Sequence, residues 1–437
     1  MFIIIFILCL FLITSYYYLL KGTVLGIMPN RGGYPGFFIF YQLVMYIVPS
    51  SLLLNYYNIS SFWVAFKVQQ DSVFWISVLV ICSILLFYLS IALFTRFLPK
   101  YFMFSQIENI KNEKDILIFN RLCILVCLST IFYLWFVLGV SHSFSLAIYS
   151  DESLSSLRYS LSGNTETKIA KHLFIFIIPI LTCILASPIY NRRKLERLMS
   201  FCLIFFIASW GGSKAPLLSV FLIYIISFAT FNRLKVSFSL VIKLVLFVFF
   251  ILFVMYKVVM IQYGYLENIS LFFDYFVQRT FVAQMIGVYE QFNIWLYDVN
   301  YIFHGIPFAS YFFDYPQYHK DLMMISENRV DPDSIGIKNT FFIAEAFGMG
   351  GWALLILSPV ITGLNFCLTY VWLVFLLNHF AFNNLEFTKI IVAISLFSYI
   401  GVTGGFSDLM LFKITIMITI LISPFILTIV AYRKLKF

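Results

Sequence analysis

Charge is what this 437-residue chain has least of: Asp, Glu, Lys and Arg together make up 11% of it, where a soluble domain carries about 25%. A water-soluble enzyme of this length needs far more charge to cover its surface. With 62% hydrophobic residues, disordered and fibrous chains are excluded too. The alternation of apolar and polar residues that marks a barrel strand over about ten positions is also missing. None of the seven cysteines (9, 82, 123, 127, 183, 202 and 367) belongs to a CxxC pair, and all lie inside apolar runs. They read as small core hydrophobes and not as a disulfide or metal framework. There is no HExxH metal motif and no GxxxxGK[ST] phosphate loop. No internal repeat appears, as a transporter built from two halves would show. No chain of Asp, Glu and His crosses the apolar segments, which argues against a proton-driven pump.

What is present is length in the apolar runs. A membrane span takes about 20 mostly apolar residues. Candidates fall near 2–20, 36–56, 73–95, 117–140, 169–189, 198–211, 216–231, 238–261, 350–377, 388–403 and 408–431. The expected fold is therefore all-α, a polytopic helical membrane protein with about 11 transmembrane helices. The stretches 198–211, 216–231 and 388–403 are short, as spans are that stop part-way beside a polar cavity. Residues 2–20 lack the positive flank and the small-x-small site of a signal peptide, and Lys21 follows them. They read as an uncleaved first span.

The net charge of +9 is the ordinary excess of Lys and Arg in cytoplasmic loops, so no nucleic-acid partner is expected. Arg433, Lys434 and Lys436 place the C-terminus in the cytoplasm. NRRKLER (191–197) and the basic residues at 21, 31, 96, 100, 111, 114, 233 and 235 fall on the same side. The N-terminus is then outside, together with 141–168, the turn GGSKAP (211–216) and a long segment, 262–349. Three parts follow: a membrane bundle of about eight spans over 1–261, a large outer loop over 262–349, and a bundle of about three spans over 350–437. So long a connection in a compact protein usually carries function. Within it, 265–296 reads as one amphipathic helix suited to the membrane interface, with Glu267, Ser270, Asp274 and Gln278 on one stripe. The stretch 339–352 (NTFFIAEAFGMGGW) reads as a short helix broken at Gly348, Gly350 and Gly351.

Three cations on the outer side are candidates for holding anions. Arg158 lies in SSLRYSLSGNTET, Lys214 between two short spans, and Arg279 among apolar residues in FVQRTF. A guanidinium fork matches phosphate oxygens, and an ammonium beside free backbone N–H groups at a helix start resembles an anion site. Each could equally be snorkelling to lipid headgroups. The candidate general bases of the long loop are His304, His319, Asp331, Asp333 and Glu345. Asp331-Pro332-Asp333 matches the DxD of nucleotide-sugar transferases but stands on the wrong side of the membrane for nucleotide sugars. Glu345 stands out because it interrupts an apolar helix, FFIAEAFG, where a carboxylate needs a partner or a polar cavity. No metal-ligand spacing joins these residues, and no cofactor is expected.

Taken together, the span pattern, the single large outer loop, the loop SSLRYSLSGNTET, the turn WGGSKAPLL and the helix NTFFIAEAFGMGG resemble the O-antigen polymerase (Wzy-type) family of oligosaccharide repeat-unit polymerases. The resemblance covers most of the chain. Many relatives carry Ser-Arg in the turn where this chain has Ser213-Lys214, which keeps the charge but loses the bidentate fork. The resemblance implies a GT-C-like fold in the bacterial inner membrane, with a periplasmic loop. It implies a glycosyltransferase that moves a growing glycan from undecaprenyl pyrophosphate onto the next lipid-linked unit. Arg158, Lys214 and Arg279 would hold pyrophosphate, and Glu345, His319 or His304 would serve the chemistry. The implied partners are the lipid-linked oligosaccharide, membrane lipids and a chain-length regulator protein. An O-antigen ligase is the alternative within the same chemistry, and a polysaccharide flippase the alternative from another class.

Overall fold

The computed structural model describes residues 1–27, 33–103, 110, 112–139, 165–210, 214–234, 250, 269–309, 312–329, 338–399, 405–410 and 412–435. Among them the chain is helical, and the one β-bridge, Thr23 with Met103, stands alone. Six helices are long and apolar enough to cross a membrane: α1 Phe2–Leu20, α2 Phe37–Tyr56, α3 Gln70–Phe97, α4 Glu113–Val137, α11 Phe342–Phe382 and α13 Lys413–Tyr432, which runs on to Leu435. Between α4 and α11 come α5 (Thr165–Leu185), α6 (Lys194–Ser209), α7 (Lys214–Phe231), α8 (Ile269–Val277), α9 (Ile286–Ile294) and α10 (Tyr318–Glu327). Shorter apolar stretches lie in α5, at Leu173–Ala186, and in α7, at Pro216–Phe231. Between α11 and α13, α12 (Leu385–Tyr399) is 15 residues long. The expected span at 238–261 lies outside the described residues.

The amphipathic helix expected over 265–296 is two helices. A π-helical turn, Gln278–Val282, follows α8, and a turn over 283–285 separates it from α9, which begins at Ile286. The reason lies in the polar stripe, which does not face one way. Asp274 is exposed, whereas Gln278 is buried and donates from Nε2 to the Ser61 carbonyl at 3.2 Å. Glu290, one turn into α9, is fully buried. The π turn packs against α2, and α9 lies along α3, where the Tyr289 and Ser77 hydroxyls stand 2.9 Å apart.

The break expected in the glycine-rich stretch falls at Gly350 and Gly351, while Gly348 stays helical, and it shapes the site. Gly350 and Gly351 leave helical geometry, and Gly351 takes φ 59°, ψ −148°, a region open essentially to glycine alone. Phe342 before the break and Phe366 after it both meet the ring of Phe87, at 6.2 and 5.6 Å. A straight helix would hold those positions about 36 Å apart. The first two turns of α11 therefore fold back along its own span. Gly363 sits against α3, where a Cβ would lie 2.9 Å from the Ser90 Cβ, and so admits close helix approach. The turn 405–410 lies alongside the span, not above it, because the Asn365 amide donates to the Leu409 carbonyl and, at 3.3 Å, to that of Met410. Irregular backbone at membrane depth is tolerated where protein buries it or where it lines a cavity.

Candidate active site

Glu345 lies in the folded-back part of α11 among Ala344, Ala346 and Phe347, and none of its surface reaches solvent. A carboxylate so placed is costly unless its oxygens find partners. Oε2 accepts from the Ser407 backbone N–H at 3.0 Å. Oε1 accepts no hydrogen bond among the described residues, but it faces His319 Nε2 at 3.4 Å and His304 Nδ1 at 3.5 Å. These separations are long for hydrogen bonds and close enough for strong charge interaction around a fully buried carboxylate. Gly405 completes the wrap, since a Cβ there would stand 2.5 Å from Oε2.

Each imidazole comes from a different part of the long loop. His304 closes a 3₁₀ turn, Val299–Gly305, whose first N–H groups are capped by Asp298 accepting from Asn300 N at 2.8 Å. Lys413, at the head of α13, donates to the His304 carbonyl at 2.8 Å and pairs with Asp408 at 3.4 Å. His304 Nδ1 also meets Ser407 Oγ at 3.0 Å. Its Nε2 has no partner among the described residues, and the side chain is 28% exposed. His319 begins α10 and has both ring nitrogens engaged, Nε2 toward Glu345 and Nδ1 3.2 Å from Thr340 Oγ1. Burial works against a charged His319, but the Glu345 carboxylate, with a smaller contribution from Asp408, outweighs it and raises the pKa above the ordinary imidazole value.

This division fixes what each group can do. Glu345 cannot touch a substrate, because its surface is sealed. It can orient the two rings and stabilise a positive charge on either. His319 is saturated with partners. Of the two, His304 keeps a ring nitrogen without a partner among the described residues, on a side chain that is partly exposed. A carboxylate that holds one imidazole nitrogen while the other accepts a proton is a general-base arrangement. Tyr318 backs the site, with its hydroxyl on Gln291 Oε1 at 2.9 Å and its ring against Gly348, where a Cβ would come within 2.7 Å.

The structure thus brings together Glu345, His319 and His304. The cation candidates are placed less fully. Arg279 is exposed on the π turn against α2 and forms no ion pair or hydrogen bond among the described residues. Lys214 opens α7, with its side chain outside the described part. Arg158, Asp331 and Asp333 lie outside the described residues. Among the described residues no group of three or more His, Cys, Asp and Glu is arranged to hold a metal ion. Reading the sequence alone missed Gly405, Ser407 and Thr340. The signal for the first two was the polar turn Gly404-Gly405-Phe406-Ser407-Asp408 between two apolar runs. Comparison of the chain with protein-family models, with curated proteins and with solved structures finds no match.

Proposed function

We propose that this chain is a membrane glycosyltransferase, a polymerase of undecaprenyl-pyrophosphate-linked oligosaccharide repeat units working on the periplasmic side. The observation that carries the reading is the sealed Glu345 carboxylate between His304 and His319, with one imidazole nitrogen of His304 unpartnered among the described residues. In the proposed step a hydroxyl of the incoming lipid-linked unit attacks the anomeric carbon of the growing glycan. The new C–O bond forms as the bond from that carbon to the pyrophosphate oxygen breaks. The electron pair leaves with the lipid pyrophosphate, and the hydroxyl proton passes to His304 Nε2. Glu345 stabilises the resulting imidazolium, and His319 keeps the carboxylate in register.

The leaving group is already activated, so the remaining demand is cationic stabilisation of pyrophosphate. Arg158 and Arg279 take that role in this reading, assisted by Lys214. Guanidinium forks suit pyrophosphate oxygens better than an ammonium does. The reading carries with it about eleven spans in a GT-C-like fold. It also carries a bacterial inner-membrane location, an outside N-terminus and a cytoplasmic C-terminus. Its partners are the lipid-linked oligosaccharide, surrounding lipids and a chain-length regulator protein.

The test is reconstitution. Purified protein in lipid vesicles, given an undecaprenyl-pyrophosphate-linked repeat unit alone, is expected to release undecaprenyl pyrophosphate and build a ladder of lipid-linked polymer. Transfer only when lipid A–core is added would make it a ligase. Movement of the lipid across the bilayer without any new glycosidic bond would make it a flippase. Either outcome overturns the proposal.

A further inference from the structure

A second ionic cluster lies beside the candidate site. Lys338 is only 7% exposed, and its Nζ stands 2.9 Å from Glu290 Oε2 and 3.7 Å from Glu327 Oε1. The same ammonium sits 4.9 Å from the centre of the Phe66 ring. It thereby joins α9, the end of α10 and the connection between α2 and α3. An ammonium so enclosed is costly to desolvate and holds its place only through such partners. Arg329 meets the other side of Glu327 at 3.0 Å, so Glu327 is shared between two cations.

The backbone of Lys338 does something separate. Its N–H donates to the carbonyl of His319 at 3.3 Å. Two residues on, Thr340 Oγ1 meets His319 Nδ1 at 3.2 Å. Between them, Asn339 Nδ2 donates to Gln284 Oε1 at 2.7 Å. The irregular stretch 338–340 therefore grips His319 at both backbone and ring, and its outer end is anchored by the buried ammonium. Gly287 lies so close to the Asn339 carbonyl that a Cβ there would stand 2.3 Å from it, which keeps α9 pressed against the stretch.

We propose that Lys338 is a positioning residue: clamped by Glu290 and Glu327, it fixes the stretch 338–340 and through Thr340 sets the orientation of the His319 ring against Glu345. The inference rests on the reading of Glu345, His304 and His319 as the working site, and it extends that site by an anchor that touches no substrate. Glu290 is consistent with the arrangement. Burial pushes its pKa up to about 7, and Lys338 pulls against the rise. The groups facing His319 are Glu345 and, further off, Asp408, with the rings of Tyr318 and His304 beside it. A ring released from Glu345 and from burial returns downward to the ordinary imidazole pKa.

The test follows the histidine itself and needs no turnover. Deuterium exchange at the imidazole C2 position, read by mass spectrometry on the full-length purified protein, gives a titration curve for each histidine. In the unaltered protein His319 is expected to titrate above the ordinary imidazole value. In Lys338→Met and in Thr340→Val its curve moves down toward that value and its exchange quickens. Lys338→Arg restores most of the shift, and the exposed His379 stays unchanged in all. A His319 curve in folded Lys338→Met protein that overlays the unaltered one overturns the inference. If Lys338→Met does not accumulate, Thr340→Val and Lys338→Arg decide: an unmoved His319 in Thr340→Val, or no retention in Lys338→Arg, equally overturns it. Shifted curves with no polymer from any form of the protein would support the anchor and count against the polymerase reading.

Discussion

Glu196 and Glu345 each face two basic side chains, and water reaches only the first. Glu196 pairs with Arg121 at 2.9 Å and Arg193 at 3.2 Å on an open surface, where the Arg121 side chain is 57% exposed. The two arginines hold its carboxyl below the usual carboxylate range, Arg121 most of all. Glu345 has a glycine packed on one oxygen, a backbone N–H on the same oxygen and two imidazoles on the other. An exposed pair is screened and contributes at most about 1 kcal/mol. A buried charge that loses a partner costs about 3–5 kcal/mol. The same residue type thus serves as a solvated clasp in one place and as the buried centre between two imidazoles in the other.

Several changes would break or sharpen that contrast. The largest effect is expected at His304, which of the two rings facing Glu345 keeps a nitrogen without a partner among the described residues. His304→Asn should lower glycan transfer by on the order of 10²–10⁴, with protein level and lipid-substrate binding retained. Polymer formation in vesicles checks it, and near-normal transfer would remove His304 from the base role. Next comes Gly405→Ala, which drives a methyl onto Glu345 Oε2. We expect a loss of about 1–3 kcal/mol in stability together with activity, read by thermal unfolding and transfer in the same preparation.

A smaller effect is expected from pH. His319 has a raised pKa when folded, so its contribution is full below about 6.5 and is lost as pH rises through the raised value. Glu290 is raised from 4.5 to about 7, so its contribution is full below about 4.5 and is lost by about pH 7. Both act in one direction. The unfolding temperature should fall as pH rises from about 4.5 through about 7 and on through the raised value of His319, and Glu290→Gln should flatten the lower part of that fall. A midpoint that rises over this window would contradict both assignments. The smallest effect belongs to the exposed clasp: Arg121→Ala should shift stability by no more than about 1 kcal/mol and leave polymer length unchanged.

The long apolar runs made six helices long enough to cross a membrane legible, because twenty residues of one character are hard to read otherwise. Phe2–Leu20 and Phe37–Tyr56 fall almost where the sequence places them. The fold-back at Gly350 and Gly351 was legible for a similar local reason, since only glycine invites that geometry. Glu345 announced itself as a carboxylate inside FFIAEAFG. Its meeting with His304 and His319 was not legible, because no periodicity links residues on a 3₁₀ turn, a short helix and a reversed half-helix. The polar stripe of 265–296 misled for a related reason. Its Gln278 turns inward to a carbonyl supplied by a distant loop, and helical spacing alone carries no record of that partner.

The proposed function requires Glu345, unlike Glu196, to be indispensable as a charge. The direct measurement places Glu345→Gln and Glu196→Gln side by side in vesicles with an undecaprenyl-pyrophosphate-linked repeat unit and reads the length of the product by gel. Glu345→Gln keeps the volume of the side chain and removes the charge facing the two imidazoles. The proposed function predicts single, unpolymerised units from Glu345→Gln and a full ladder from Glu196→Gln, with both proteins at normal level. A full ladder from Glu345→Gln would contradict it.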